Sequence, residues 1–169
     1  MIRPELPNDA AAIAAVHTAA FGRPTEAELV ARLRAAPGFD PRLSLVSLAD
    51  QRSTDQVVGH ILFSPIRVGE GTALALAPLA VLPEQQRRGH GSALIRAGLA
   101  ACRDAGHATI VVLGHADYYS RFGFEPAERY AICAPFEVPP GVLRVVQLTG
   151  ADLSIPHGII DYGPAFEGV

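Results

Sequence analysis

Residues 78–103 read PLAVLPEQQRRGHGSALIRAGLAACR. The first residues are apolar and strand-like, the middle is rich in Gln, Arg and Gly, and the remainder carries Leu94, Ile95, Leu99 and Cys102 at helical spacing. The stretch therefore reads as a strand, a tight turn and an amphipathic helix. A Gly-rich turn at a helix N-terminus leaves backbone N–H groups facing outward, and the helix adds partial positive charge at the same place. That combination cradles phosphate. Two familiar phosphate loops do not fit it. The pattern G-x-x-x-x-G-K-[ST] needs a lysine, and the chain contains none. The pattern G-x-G-x-x-G needs a third glycine, and Leu94 stands where it would be, after Gly89 and Gly91.

A third pattern does fit. The turn Gln86-Arg87-Arg88-Gly89-His90-Gly91 matches Q/R-x-x-G-x-G/A at every specified position. About thirty residues on, after the helix and a further apolar strand, the chain reads YYSRFGFEP from Tyr118 to Pro126, with Y-x-x-x-G-F running from Tyr119 to Phe124. By these two motifs in this order the chain resembles the GNAT superfamily of N-acetyltransferases and, within it, the YhbS-like group. The resemblance is specific over residues 72–127 and holds by element order over 2–132. Taken alone, the hexapeptide also suits a helix that merely starts at a Gly-rich turn.

Length and composition agree with a globular protein. The 169 residues suit one domain, read here as 1–169 with a core over 1–134 and an extension over 135–169. The apolar share is 49% and the charged share 18%, enough to bury a core and too little charge for disorder. The net charge of −3 argues against a nucleic-acid partner, which needs a basic face. Residues 1–9, MIRPELPND, lack the apolar core of a signal peptide, and the longest apolar run falls short of the ~20 residues of a membrane span. A cytoplasmic protein with no membrane partner is expected. Cys102 and Cys133 lack metal-ligand spacing, so no metal is expected and both read as reduced core residues.

The remaining elements follow from pattern. Strands are expected at 2–6, 43–49, 57–67, 72–82, 109–113 and within 141–148. Helices are expected at 10–21, from Thr25 to about Pro37, and at 89–105. Residues 50–55 read as a polar turn, 69–71 as a hairpin turn and 158–166 as irregular chain that covers a sheet edge. The 72–82 strand is apolar on both faces and so central, yet it contains Pro78, which has no ladder N–H; a bulge is expected over 78–81.

What the resemblance implies is more specific. The fold is α/β (α+β), the acyl-CoA N-acyltransferase type: a mixed, mostly antiparallel twisted sheet with a central splayed pair of parallel strands, flanked by helices. Acetyl-CoA is the co-substrate. Its pyrophosphate falls to Gln86, Arg87, Arg88, Gly89, His90, Gly91 and Ser92, mostly through their backbone. Its pantetheine arm falls to Ala80, Val81 and Leu82, and Tyr119 and Phe122 are further contacts. Tyr118 reads as core. The acceptor is a small-molecule or peptide amine, and the resemblance also allows a homodimer.

Tyr119 is the expected general acid. A phenol of pKa about 10 is protonated at pH 7 and can donate to a thiolate whose conjugate acid lies at about 8–9. The N–H of Val81 is a candidate donor to the thioester carbonyl. The base is open. The 72–82 strand holds no carboxylate, and His60, His115 and Asp117 are the candidates. An α-amine, neutral at a cost of about 1 kcal/mol at pH 7 against about 4–5 for a lysine side chain, needs no dedicated base. Two further readings stand beside the enzyme: a catalytically weak or inactive acyl-CoA-binding sensor, and an interaction domain in which the Gln86–Gly91 match is accidental.

Overall fold

The computed structural model describes residues 1–49, 55–148 and 154–169. In chain order it runs β1 (Ile2–Pro4), α1 (Ala10–Phe21), α2 (Thr25–Ala35), β2 (Ser44–Leu48), β3 (Val57–Val68), β4 (Gly71–Val81), α3 (His90–Asp104), β5 (Thr109–Leu113), α4 (Ala116–Tyr119), β6 (Glu125–Pro126), β7 (Ile132–Cys133), β8 (Leu143–Gln147) and β9 (Gly158–Asp161). The strands form a mixed sheet in the order β1-β2-β3-β4-β5-β8-β6, with β9 paired to β3 and β7 to β9. The turn expected at 50–55 lies almost wholly outside the described residues. No helix among the described residues is long and apolar enough to cross a membrane.

Alternation along β3 sorts the core onto two sides of the sheet. Ile61 and Phe63 join Leu94, Ile95, Leu99 and Cys102 of α3. Leu62, between them, joins Ile13 and Val16 of α1 and Leu29, Val30 and Leu33 of α2. Leu94 and Ile95 have no exposed surface, so truncating either to Ala costs about 2–5 kcal/mol. Gly106, at φ 88°, ends α3: its N–H and that of His107 bond to the carbonyls of Arg103 and Cys102, each at 2.9 Å. Cys102 is buried, and burial pushes its thiol up to about 12. Cys133 is exposed, contrary to expectation, because Ile132 takes the inward position of the two-residue β7.

Pro78 interrupts the ladder one step earlier than expected. The β3–β4 register passes from Phe63↔Leu76 to Ile61↔Leu79, so β4 carries one extra residue at Ala77–Pro78, and pairing is regular again from Leu79. On its other edge β4 pairs in parallel with β5 at only two positions, Leu74↔Ile110 and Ala75↔Val111. Past Ala75 the strands part, and β5 keeps its ladder with β8 as far as Leu113. The C-terminal segment is more regular than its sequence suggests. β9 extends the edge of β3 at Arg67↔Asp161 and Val68↔Ile160, beyond the last residues of β3 that pair with β2.

Candidate active site

Where β4 and β5 part, two hollows open and share Leu79 as a lining residue. One, of about 610 Å³, lies between Ala75–Leu79 of β4 and Val111–Leu113 of β5, with Tyr119 in its wall. The other, of about 600 Å³, lies over the turn and is lined by Val81, Gln86, Arg87, Gly89, Gly91 and Ser92, with Tyr118 and Arg121 opposite.

The ladder decides which backbone groups face the gap. Leu82 N–H donates to the Val58 carbonyl at 2.8 Å, so that pair is hydrogen-bonded and the next, Gly59↔Val81, is not. By alternation Ala80 bonds to β3, whereas Leu79 and Val81 turn their N–H and C=O groups toward the side where β5 has left. The Val81 carbonyl is taken by the Gln86 side chain at 3.1 Å, which ties the turn to the strand. The free groups are therefore those of Leu79 and the N–H of Val81. Of the expected arm contacts, Ala80 and Leu82 have their N–H groups committed to β3, and Leu79 is the position the sequence did not reveal.

The turn has the conformation a phosphate cradle needs. Gly89 caps α3 at φ 89°, after Arg87 at φ 61°. Ala93 N–H bonds back to the Gly89 carbonyl at 3.0 Å, so the N–H groups of His90, Gly91 and Ser92 have no acceptor within the helix. Gly91 is required for close approach: a Cβ there would stand 2.8 Å from the Tyr118 hydroxyl oxygen. The His90 ring turns away, with Nδ1 2.7 Å from the Ser47 hydroxyl, and burial lowers its pKa. Arg87 lines the hollow, whereas Arg88 is exposed and does not. The other cation that lines it is Arg121, whose guanidinium stacks 4.8 Å from the Tyr118 ring centroid. Phe122 lines neither hollow; it is a buttress, edge-on to Tyr118 at 5.4 Å and beneath Arg96 at 5.1 Å. Tyr118, read as core from sequence, is half-buried and sits over the turn.

Tyr119 closes the short α4. Its ring meets Phe124 edge-on at 5.6 Å and Tyr118 at 5.1 Å. Among the described residues its hydroxyl has no hydrogen-bond partner. Burial, then the neighbouring Tyr118, pushes its pKa up to about 12.

The three candidate bases lie elsewhere. His115 and Asp117 are exposed and line neither hollow. His60 has no exposed surface and belongs to a buried polar chain on the α1 side of the sheet. Its Nδ1 is 2.8 Å from His17 Nε2, its Nε2 is 2.8 Å from the Ser44 hydroxyl, and Ser44 donates to Glu5 at 2.6 Å. One proton arrangement satisfies these contacts, with both imidazoles neutral and protonated on Nε2 and every donor pointing toward Glu5. Burial lowers the pKa of His60 and takes His17 down to about 3. Burial would raise Glu5, but hydrogen bonds from His60, Arg34 and Ser44 outweigh it and hold the carboxyl at about 2. Sealed in this chain, His60 cannot take a proton from a group in the hollow.

The far wall of the Tyr119 hollow is aromatic. Phe21 comes from α1, and Phe136, Tyr162 and Phe166 come from the chain after β7. Phe136 and Tyr162 stack at 6.2 Å, and Tyr162 meets Phe166 at 5.1 Å. Arg23 and Glu26 complete that wall, paired with each other.

Comparison with known proteins gives a consistent picture. The acetyltransferase (GNAT) family model matches residues 11–124. The uncharacterized N-acetyltransferase YjhQ of Escherichia coli (strain K12) is 43% identical over 137 residues, covering 78% of this chain and 74% of YjhQ. The crystal structure of the GNAT family N-acetyltransferase YhbS of Escherichia coli, in complex with CoA, aligns with a TM-score of 0.88 at 32% identity, over 98% of this chain and 91% of YhbS. A GNAT family acetyltransferase of Brucella melitensis, in complex with acetyl-CoA, aligns with a TM-score of 0.79 at 37% identity, over 99% of this chain and 97% of its own.

Proposed function

Since this chain belongs to the acetyltransferase (GNAT) family, we propose that it is an acetyl-CoA-dependent N-acetyltransferase acting on a primary amine by direct attack in a ternary complex. The observation that carries this reading is the parting of β4 from β5 after Ala75, which opens a crevice from the Gly89 turn to Tyr119. The sheet that frames it takes in strands from Ile2 to Asp161, which supports treating the chain as one catalytic unit.

Each part of the donor substrate has a counterpart in the chain. The N–H groups of His90, Gly91 and Ser92 hold the pyrophosphate, with Arg87 and Arg121 as counter-charges. The free groups of Leu79 and Val81 pair with the amides of the arm as an added strand would. Val81 lines the turn hollow and Leu79 lines both, so Leu79 N–H, in place of Val81 N–H, is the donor to the thioester carbonyl. The neutral amine attacks that carbon; the C–N bond forms, the C–S bond breaks, and the electron pair leaves on sulfur. Tyr119 donates its proton to the departing thiolate and is reprotonated through water as the new amide nitrogen loses its extra proton. A phenol at about 12 is a weak acid, but the burial that raises it also destabilises the thiolate and strengthens the drive to protonate it.

Binding without turnover is the second reading, and one observation favours it: His60, His115 and Asp117 line neither hollow. Thiol release from acetyl-CoA against a panel of amines separates the two. Release that requires an amine supports the enzyme. A thermal shift with acetyl-CoA and no release with any amine favours the sensor, and no thermal shift removes both.

A further inference from the structure

Among the described residues, the Tyr119 hollow has charged side chains at one place only. These are Arg23 and Glu26, and the other lining side chains are apolar or uncharged. The two differ in what they have left to offer. Glu26 is 5% exposed, and both its oxygens already accept from Arg23, with Arg23 Nε at 3.1 Å from each and Nη2 on Oε1. The Arg23 hydrogen bond is the chief cause holding the Glu26 pKa down, so the pair is ionised at neutral pH. The Arg23 side chain is 58% exposed, and among the described residues its Nη1 carries no hydrogen bond. Glu26 thus anchors the guanidinium, and the free donors at the hollow look for an anion. An ammonium group would have to displace Arg23 from Glu26, and it would then hold an amine in its charged, unreactive form.

Resting on the N-acetyltransferase reading above, we propose that the acceptor is a small α-amino acid with an apolar side chain, whose carboxylate Arg23 holds while Phe21, Phe136 and Tyr162 surround the side chain. The hollow of about 610 Å³ suits a compact molecule, since it must also admit the thioester end. The arrangement also answers the missing base. The carboxylate of a free amino acid raises the pKa of its own amine above that of a peptide N-terminus. Pairing that carboxylate with Arg23 cancels the effect and brings the amine down toward the α-amine range of about 7.7–8.0, where an appreciable fraction is neutral near pH 7.5. Arg23 then serves both as the carboxylate-binding residue and as the group that readies the nucleophile.

The test compares L-leucine and L-phenylalanine with their carboxamides as acceptors in thiol release from acetyl-CoA, for the wild type and for Arg23→Gln. The acids should exceed the amides in kcat/KM by about tenfold or more, the usual worth of a charge-assisted pair. Arg23→Gln should bring that ratio close to one, chiefly through the KM of the acids. Arg23 is mostly exposed, so the variant should fold, and its thermal shift with acetyl-CoA checks this. Glu26→Gln, which frees the guanidinium from its anchor, should lower the ratio in the same direction. Amides turned over as well as acids, or an acid preference unchanged in Arg23→Gln, overturns the inference and leaves the acetyltransferase reading intact. No release with any amine overturns both.

Discussion

Tyr119 lies against Gly114: a Cβ built on Gly114 would stand 2.1 Å from Cε2 of the Tyr119 ring. Gly114 is pinned in turn, its N–H bonded to the Val142 carbonyl at 2.9 Å beside the end of β5. The strand end therefore sets the position of the ring without contributing a side chain. Gly114→Ala cannot be absorbed by backbone movement alone, so the ring must swing. We expect kcat to fall by about tenfold to a hundredfold, the scale for a small displacement of a reacting group, while acetyl-CoA affinity stays within about twofold. Single-turnover rates beside equilibrium binding decide it, and an unchanged rate would mean that Tyr119 is placed by other contacts.

Tyr119→Phe keeps the ring and removes the proton. Turnover should fall by ~10²–10⁴ with acetyl-CoA affinity nearly unchanged. The pH profile is the sharper check. With the phenol at about 12, the hydroxyl stays protonated through the working range, so the wild-type rate should rise with pH as the amine deprotonates and then level off, without a falling limb below about pH 10. A falling limb near pH 8–9 would assign the acid to another group.

Gly89 separates conformation from space. At φ 89° a side chain is strained, yet a Cβ there meets nothing within 4 Å. Gly89→Ala should therefore fold with a penalty of only about 1 kcal/mol and keep measurable acetyl-CoA binding. Gly89→Glu adds bulk and a negative charge at the anion site and should abolish binding. Isothermal titration with acetyl-CoA tests both, and retained tight binding in the glutamate variant would remove the pyrophosphate from this turn.

These expectations rest on features of unequal visibility in the sequence. The 3.6-residue period located α1 and α3 because each buries one continuous face, and the apolar composition of TIVVL located β5, which is buried over its first four residues. Pro78 announced a break in β4, since a missing N–H shows in any strand. Its position at Ala77–Pro78, and the choice of Leu79 over Ala80 as a free group, depend on the register with β3, which is a property of two strands together. The side to which His60 points was ambiguous for the same reason, as a one-residue change of register exchanges faces. Phe136, Tyr162 and Phe166 had no local signal. The chain that carries them has no period and is placed by long-range pairing of β9 with β3 and β7. Arg23 and Glu26 carried no signal of a site in the sequence, and only the packing of α2 beside the hollow brings them to it.

The sealed chain of Glu5, Ser44, His60 and His17 makes stability depend on pH in a direction that can be worked out. His17 titrates at about 3 in the folded protein, against an ordinary value of 6.5 for an exposed imidazole. Between those values the unfolded chain takes up a proton that the folded one refuses, so stability falls as pH falls. The slope is about 1.4 kcal/mol per pH unit for one histidine, and above pH 6.5 the contribution is flat. His60 acts in the same direction, its pKa also lowered by burial. Glu5, ordinarily at 4.5 and here at about 2, adds a further loss only below about pH 4.5. The melting temperature should therefore be steady above about pH 7 and drop steeply from pH 6.5 downward. His17→Gln retains an N–H donor for His60 Nδ1 but cannot take up a proton. It should be modestly less stable at pH 8, by about 1 kcal/mol for imperfect packing, and should lose the share of the slope that His17 supplies below pH 6.5, about 1.4 kcal/mol per pH unit. Chemical denaturation at half-unit pH steps measures the slope directly; the same steepness in wild type and variant would assign the acid sensitivity to groups other than His17.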